Sequence, residues 1–170
     1  MPREDVSFQT SDNVTLRGWF YTPEGASTTP LPCVVMSHGF TAVKEMFLDE
    51  YAKKFIAALP ISVLAYDHRG FGASDTHPSS PRQEIIVALQ ASDISDAITY
   101  AQSRAGVNKE KIAVWGVALS GGHALKVGAA DRRVKAVLSQ VPMLNGWENF
   151  NRLTLPFSVA GLEALFQEGQ

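Results

Sequence analysis

The stretch Lys111-Ile112-Ala113-Val114-Trp115-Gly116-Val117-Ala118-Leu119-Ser120-Gly121-Gly122 decides the fold. An apolar run over Lys111 to Trp115 reads as a strand, and a helix begins near Leu119, so residue 118 falls at a sharp strand-to-helix corner. Crowding at such a corner demands small residues two positions to either side. Gly116 and Ser120 supply them, and Gly121 and Gly122 let the helix approach the sheet closely. This is the layout of a nucleophile elbow, a turn that lifts one reactive side chain above a sheet. Here that position, Ala118, holds only a methyl group, and an ordinary glycine-rich turn is the plainer alternative.

Outward from the elbow, strand and helix patterns alternate. Upstream, Val6 to Gln9 and Val14 to Tyr21 flank the polar turn Ser11-Asp12-Asn13, as in an antiparallel hairpin. Pro23 to Pro32 reads as a connection. Cys33 to Ser37 is a continuous apolar run, the mark of a strand buried on both faces. Then come a helical stretch over Lys44 to Leu59, a strand over Ile61 to Tyr66, and a helix over Pro81 to Ala105. After the elbow strand, a helix over Leu119 to Ala130 and a strand over Val134 to Gln140 complete the rhythm. Such alternation predicts a doubly wound, mostly parallel α/β sheet with ligands at the carboxyl ends of its strands. Residues 1–142 read as this core and 143–170 as the start of a helical cap, in which Trp147, Phe150, Leu155, Phe157, Leu162, Leu165 and Phe166 are spread around Pro156 and Gly161.

The chain has 170 residues, 45% of them apolar and 19% charged, enough for one domain with a sizeable core. A net charge of -2 offers no broad basic surface, so nucleic acid is not an expected partner. No apolar run suits a signal sequence or a membrane span, so a cytoplasmic protein is expected. The single cysteine, Cys33, reads as packing. No Cys/His/Asp cluster has metal-ligand spacing, and neither a metal nor a cofactor is expected.

Two loops at strand ends complete the candidate site. Ser37-His38-Gly39-Phe40-Thr41 follows the Cys33 strand. Its Phe40 N–H and the Leu119 N–H are the candidate oxyanion donors, a pair suited to a tetrahedral carbonyl adduct. His38 reads as a loop histidine bonded to backbone, with Gly39 supporting the turn. Asp67-His68-Arg69-Gly70-Phe71-Gly72-Ala73-Ser74 reads as a structural clamp beneath the site, with Asp67 and Arg69 able to pair and Gly70 and Gly72 free to take positive φ. It lacks the spacing of a phosphate cradle. Ser120 reads as capping backbone or packing on the sheet rather than as a nucleophile. His123, one turn into the helix, and His77, in a Pro/Ser-rich loop, read as poor bases, and Asp93 and Asp96 as an exposed helix face.

At these residues the chain resembles the α/β-hydrolase superfamily: His38-Gly39 after one strand, Asp67 to Ser74 after the next, and Gly116-x-Ala118-x-Ser120-Gly121-Gly122 after the third. Lys44-Glu45-Met46-Phe47, Ser139-Gln140-Val141-Pro142-Met143 and Gly146-Trp147 are similar to the branch of fungal polyketide transferases and thiohydrolases and their bacterial relatives. The resemblance implies acyl transfer from, or hydrolysis of, an ester or thioester by a Ser-His-Asp mechanism, with a small-molecule acyl substrate. Ala118 departs from that pattern, and the family's acid and histidine follow strands later than Gln140. A chain ending at Gln170 would leave an open sheet edge and an uncovered apolar tail, so a homodimer partner or a second fragment is expected to complete the fold. The alanine is read as a lost nucleophile or as a serine replaced to hold an intact substrate. The alternative is a silent relative that binds an acyl ligand or a partner protein.

Overall fold

The computed structural model describes residues 3–25, 29–153 and 161. Among the described residues six strands and four helices run in the order β1 (Arg3–Gln9), β2 (Thr15–Tyr21), β3 (Leu31–Ser37), α1 (Leu48–Ala58), β4 (Ser62–Tyr66), α2 (Val87–Ser103), β5 (Val107–Val117), α3 (Leu119–Ala130), β6 (Val134–Gln140) and α4 (Gly146–Leu153). The sheet order is β1-β2-β4-β3-β5-β6, with β4, β3, β5 and β6 mutually parallel and the β1–β2 hairpin antiparallel at one side. The hairpin turns through Asn13 at φ 64, a conformation that asparagine tolerates better than most residues. Among the described residues no helix is long and apolar enough to cross a membrane.

The alternation of side chains along each strand distributes the core between two layers. Cys33 and Val35 of β3, with Leu64 and Tyr66 of β4, join the layer beneath α2 and α3. Val34 and Met36, with Val63 and Ala65, join Trp19, Tyr21 and Trp115 beneath α1. The Cys33 thiol is fully buried, and burial pushes its pKa up to about 11, as packing requires and reactivity does not. β6 differs from its neighbours: Val137 and Leu138 are both more than a third exposed, on opposite faces of a parallel strand.

The bounds of α3 and β6 match the hydrophobic pattern. β1, β2, β3 and β4 differ from it by one to three residues at their starts, and three other elements differ for reasons the structure shows. Lys44 to Phe47 form a turn, not the first turn of α1, because Asp67 holds both the Lys44 N–H and its ammonium, and Phe47 enters α1 at φ 72. The helix expected from Pro81 starts only at Val87: Gln83 takes φ 67 and donates its N–H to Gly70 O, fastening this segment to the clamp loop. β5 extends back to Val107 because Leu31 pairs with it there. Within 143–170, α4 is described and Trp147 is exposed. The side chain of Phe150, the residues Leu155, Pro156, Phe157, Leu162, Leu165 and Phe166, and any boundary drawn by a cap lie outside the described residues.

Candidate functional site

The corner at residue 118 is as tight as its composition demands. Ala118 adopts φ 52, ψ -114, a region that L-residues occupy only when surrounding structure enforces it. The enforcement comes from three sides. A Cβ at Gly116 would lie 2.0 Å from Ser120 O, so only glycine lets the outgoing helix fold back over the strand. A Cβ at Gly122 would meet Met143 O at 2.4 Å, and one at Gly121 would meet the Pro142 Cα at 3.0 Å. The Ala118 N–H donates to Gln140 O at 3.0 Å, and Ala118 O accepts from Met143 N–H at 2.9 Å, tying the corner to the end of β6.

The loop after β3 lies directly against this corner. A Cβ on Gly39 would be 3.3 Å from the Ala118 methyl and 3.2 Å from Val117 O. His38 is buried and fixes the next peptide. His68 N–H donates to His38 Nε2 at 3.1 Å, so the imidazole proton sits on Nδ1, which donates to Gly39 O at 3.0 Å. Ala42 N–H also donates to Gly39 O, at 3.3 Å. With its carbonyl held from two directions and its peptide bond trans, the Gly39–Phe40 unit directs the Phe40 N–H the opposite way. The Leu119 N–H is an orphan donor of the first turn of α3. Among the described residues neither N–H donates to another backbone group.

Phe40 and Leu119 line one cavity of about 570 Å³, together with Ile85, Val87, Gly122, His123, Lys126, Met143, Leu144 and Gly146. Ala118 is half-buried and is not itself among the lining residues; its neighbours in sequence and space are. Leu119, Gly122, His123 and Lys126 follow the i, i+3, i+4, i+7 spacing of one helix face, so the wall they form was legible in the sequence although their role was not. Ile85 and Val87 enter the wall because the helix after Pro81 starts late, which no local signal marks.

Ser120 is fully buried. Its hydroxyl donates to His38 O and accepts from His68 Nε2 at 2.7 Å, so it pins the Phe40 loop to the elbow. His68 Nδ1 is left buried without a partner among the described residues. His123 Nε2 is bonded to Gln90 Oε1 at 3.0 Å. Burial holds all three histidines in the neutral form. It depresses His38; it depresses His68 strongly, helped by its two histidine neighbours; and it lowers His123 to about 4, helped by the Lys126 charge. His77 is exposed, its Nδ1 2.7 Å from Ser79 Oγ. Among the described residues no group of histidine, cysteine or carboxylate side chains is placed to hold a metal.

The clamp loop is tied down differently from the expected Asp67–Arg69 pair. Asp67 takes the Lys44 ammonium at 2.6 Å, the Lys44 N–H at 2.7 Å and the Ala73 N–H at 2.9 Å. A Cβ on Gly72, at φ 49, would collide with that carboxylate. Arg69 turns instead to Asp93 and Asp12. Its Nε is 2.7 Å from Asp93 Oδ2 and its Nη1 is 2.7 Å from Asp12 Oδ2. Asp93 is therefore fully buried and ion-paired, contrary to the exposed face expected of it, because a distant arginine compensates its charge. Asp96 does reach the surface, accepting from Ser11 N–H at 2.9 Å.

A family model described as alpha/beta hydrolase fold matches residues 32–168. The polyketide transferase grgF of a Penicillium species is 37% identical over 152 residues, 89% of this chain and 49% of that protein. A quorum-quenching protein, AidA, of Acinetobacter baumannii is 34% identical over 85% of this chain and 45% of its own length. The crystal structure of the alpha/beta hydrolase GrgF from Penicillium superposes with a TM-score of 0.77 at 33% identity, covering 100% of this chain and 56% of that one. The chain thus spans about half the length of these relatives.

Proposed function

This chain belongs to the alpha/beta hydrolase fold family, and we propose that its elbow is an acyl site for ester or thioester carbonyls, used by a hydrolase or acyltransferase when serine stands at residue 118. One observation carries the reading. The strained corner at Ala118 abuts Gly39, and the residues that follow these two in sequence, Leu119 and Phe40, border the same apolar cavity.

In that reading a serine Oγ at 118 attacks the carbonyl carbon while a general base takes its proton. The carbonyl oxygen, now anionic, accepts the Phe40 and Leu119 N–H groups. Collapse of the adduct expels the alkoxide or thiolate, which takes the proton back from the base, and water or another nucleophile then removes the acyl group. His38, His68 and His123 are buried, neutral and bonded elsewhere, and His77 is exposed beside Ser79 and does not line the cavity, so the base and its orienting acid are assigned to residues outside this chain. Ser120 is excluded as the attacking group by its bond to His38 O. With alanine at 118 the attacking group is missing and the donors remain, which favours a second reading: the chain as it stands binds an acyl ligand without turning it over.

The test is A118S in a protein of the relatives' full length, assayed with p-nitrophenyl and N-acetylcysteamine acyl esters. Turnover that the alanine form lacks supports the enzyme. A folded serine variant with no rate above background overturns it, and retained acyl binding then leaves the binding reading.

A further inference from the structure

The cavity beside the elbow is walled almost wholly by hydrocarbon, and Lys126 supplies the one formal charge among its described lining residues. Resting on the acyl-site reading above, we infer that the acyl group taken by this cavity carries a carboxylate near its far end, with Lys126 as the counter-ion.

Lys126 lies on the same face of α3 as Leu119, seven residues further on. At about 1.5 Å per residue its backbone is roughly 10 Å from the proposed carbonyl end, the reach of an acyl chain of about ten carbons. Among the described residues no carboxylate lies within ion-pair distance of its ammonium, which is equally so of Lys54, Lys109, Lys111 and Lys135; of these Lys126 alone lines the cavity beside the elbow. His123, the other ionisable group in the wall, is committed to Gln90 and stays neutral, so it neither repels nor binds an anion. Phe40, Leu119, Met143 and Leu144 contribute no side-chain hydrogen-bonding group, which suits methylenes and does not suit the amides of a pantetheine arm. A phosphate on a carrier is for that reason the disfavoured source of the negative charge.

The experiment uses the protein at its relatives' full length with Ala118 in place, which has no nucleophile at the elbow to consume the ligand. Calorimetry compares decanoyl-N-acetylcysteamine with its 9-carboxynonanoyl counterpart at low salt. The carboxylated thioester is expected to bind about three- to fivefold tighter, the upper end for an exposed ion pair. Lys126→Met is expected to erase that difference, the two thioesters then binding the variant equally. Equal binding of the two thioesters by the unsubstituted chain overturns the inference and leaves the acyl site standing. A preference that survives in K126M overturns it too. So does a Lys126-dependent gain confined to decanoyl-phosphopantetheine over decanoyl-pantetheine, which would place the anion on the carrier. Failure of every thioester to bind overturns the acyl site and the inference together.

Discussion

Replacing Arg69 with methionine tests the framework that holds the site. Asp93 has no exposed surface and its charge is compensated by two contacts to the Arg69 guanidinium, while Asp12, the other partner, is about a third exposed at 38%. Burial chiefly, helped by the neighbouring charges of Asp12 and Asp96, raises the Asp93 carboxyl above its usual range, with Arg69 pulling against it. Methionine matches the arginine stem but removes the charge, leaving an uncompensated carboxylate in the core at a cost of about 3–5 kcal/mol. Asp12 can rehydrate and adds little. With a urea slope of about 2 kcal/mol/M, the unfolding midpoint of R69M should fall by about 2 M. The double variant R69M/D93L replaces the pair by apolar groups and should regain most of that loss, because the penalty belongs to the orphaned charge. A single variant within about 0.5 M of the parent, or a double variant no better than the single, would refute the clamp.

Two further outcomes follow from the backbone and the histidines. Ala118→Gly should raise the melting temperature by about 3 °C, since φ 52, ψ -114 suits glycine and relief of about 1–3 kcal/mol of strain exceeds the added chain entropy; a fall in melting temperature would show that residue 118 is unstrained. His38, His68 and His123 all titrate lower in the folded chain than in the unfolded one, His123 at about 4. Between pH 6.5 and about 4 the unfolded state therefore binds more protons, and stability should be level above pH 7 and fall as pH drops through that window. Asp12, held down to about 2 by its bond to Arg69, adds a loss only below about pH 4. A melting temperature unchanged from pH 7 to 4.5 would contradict the buried neutral histidines.

The elements legible in the sequence are those whose signals are local. α3 and β6 begin and end where hydrophobic period and glycine placement put them, and the elbow was readable because its crowding is a matter of five consecutive residues. What escaped was set by partners far along the chain. Lys44 leaves its helix because Asp67, 23 residues away, holds it, and Asp93 is buried because Arg69, 24 residues away, neutralises it. Neither pairing has a periodic signature. The cavity wall from Ile85 and Val87 depends on Gln83 bonding to Gly70, which is equally non-local.

Everything proposed for the site requires the Phe40 and Leu119 N–H groups to face one point beside residue 118. Amide NMR of the isotope-labelled Lys126→Met chain, in which no lysine competes for the ligand's charge, titrated with decanoate measures that directly, the carboxylate standing in for the anionic oxygen of an adduct. The account predicts that both amide protons move downfield together with a single dissociation constant, as hydrogen bonds to one anion require. Shifts in only one of them, or in neither while Met143 and Leu144 show that the ligand is bound, would contradict it.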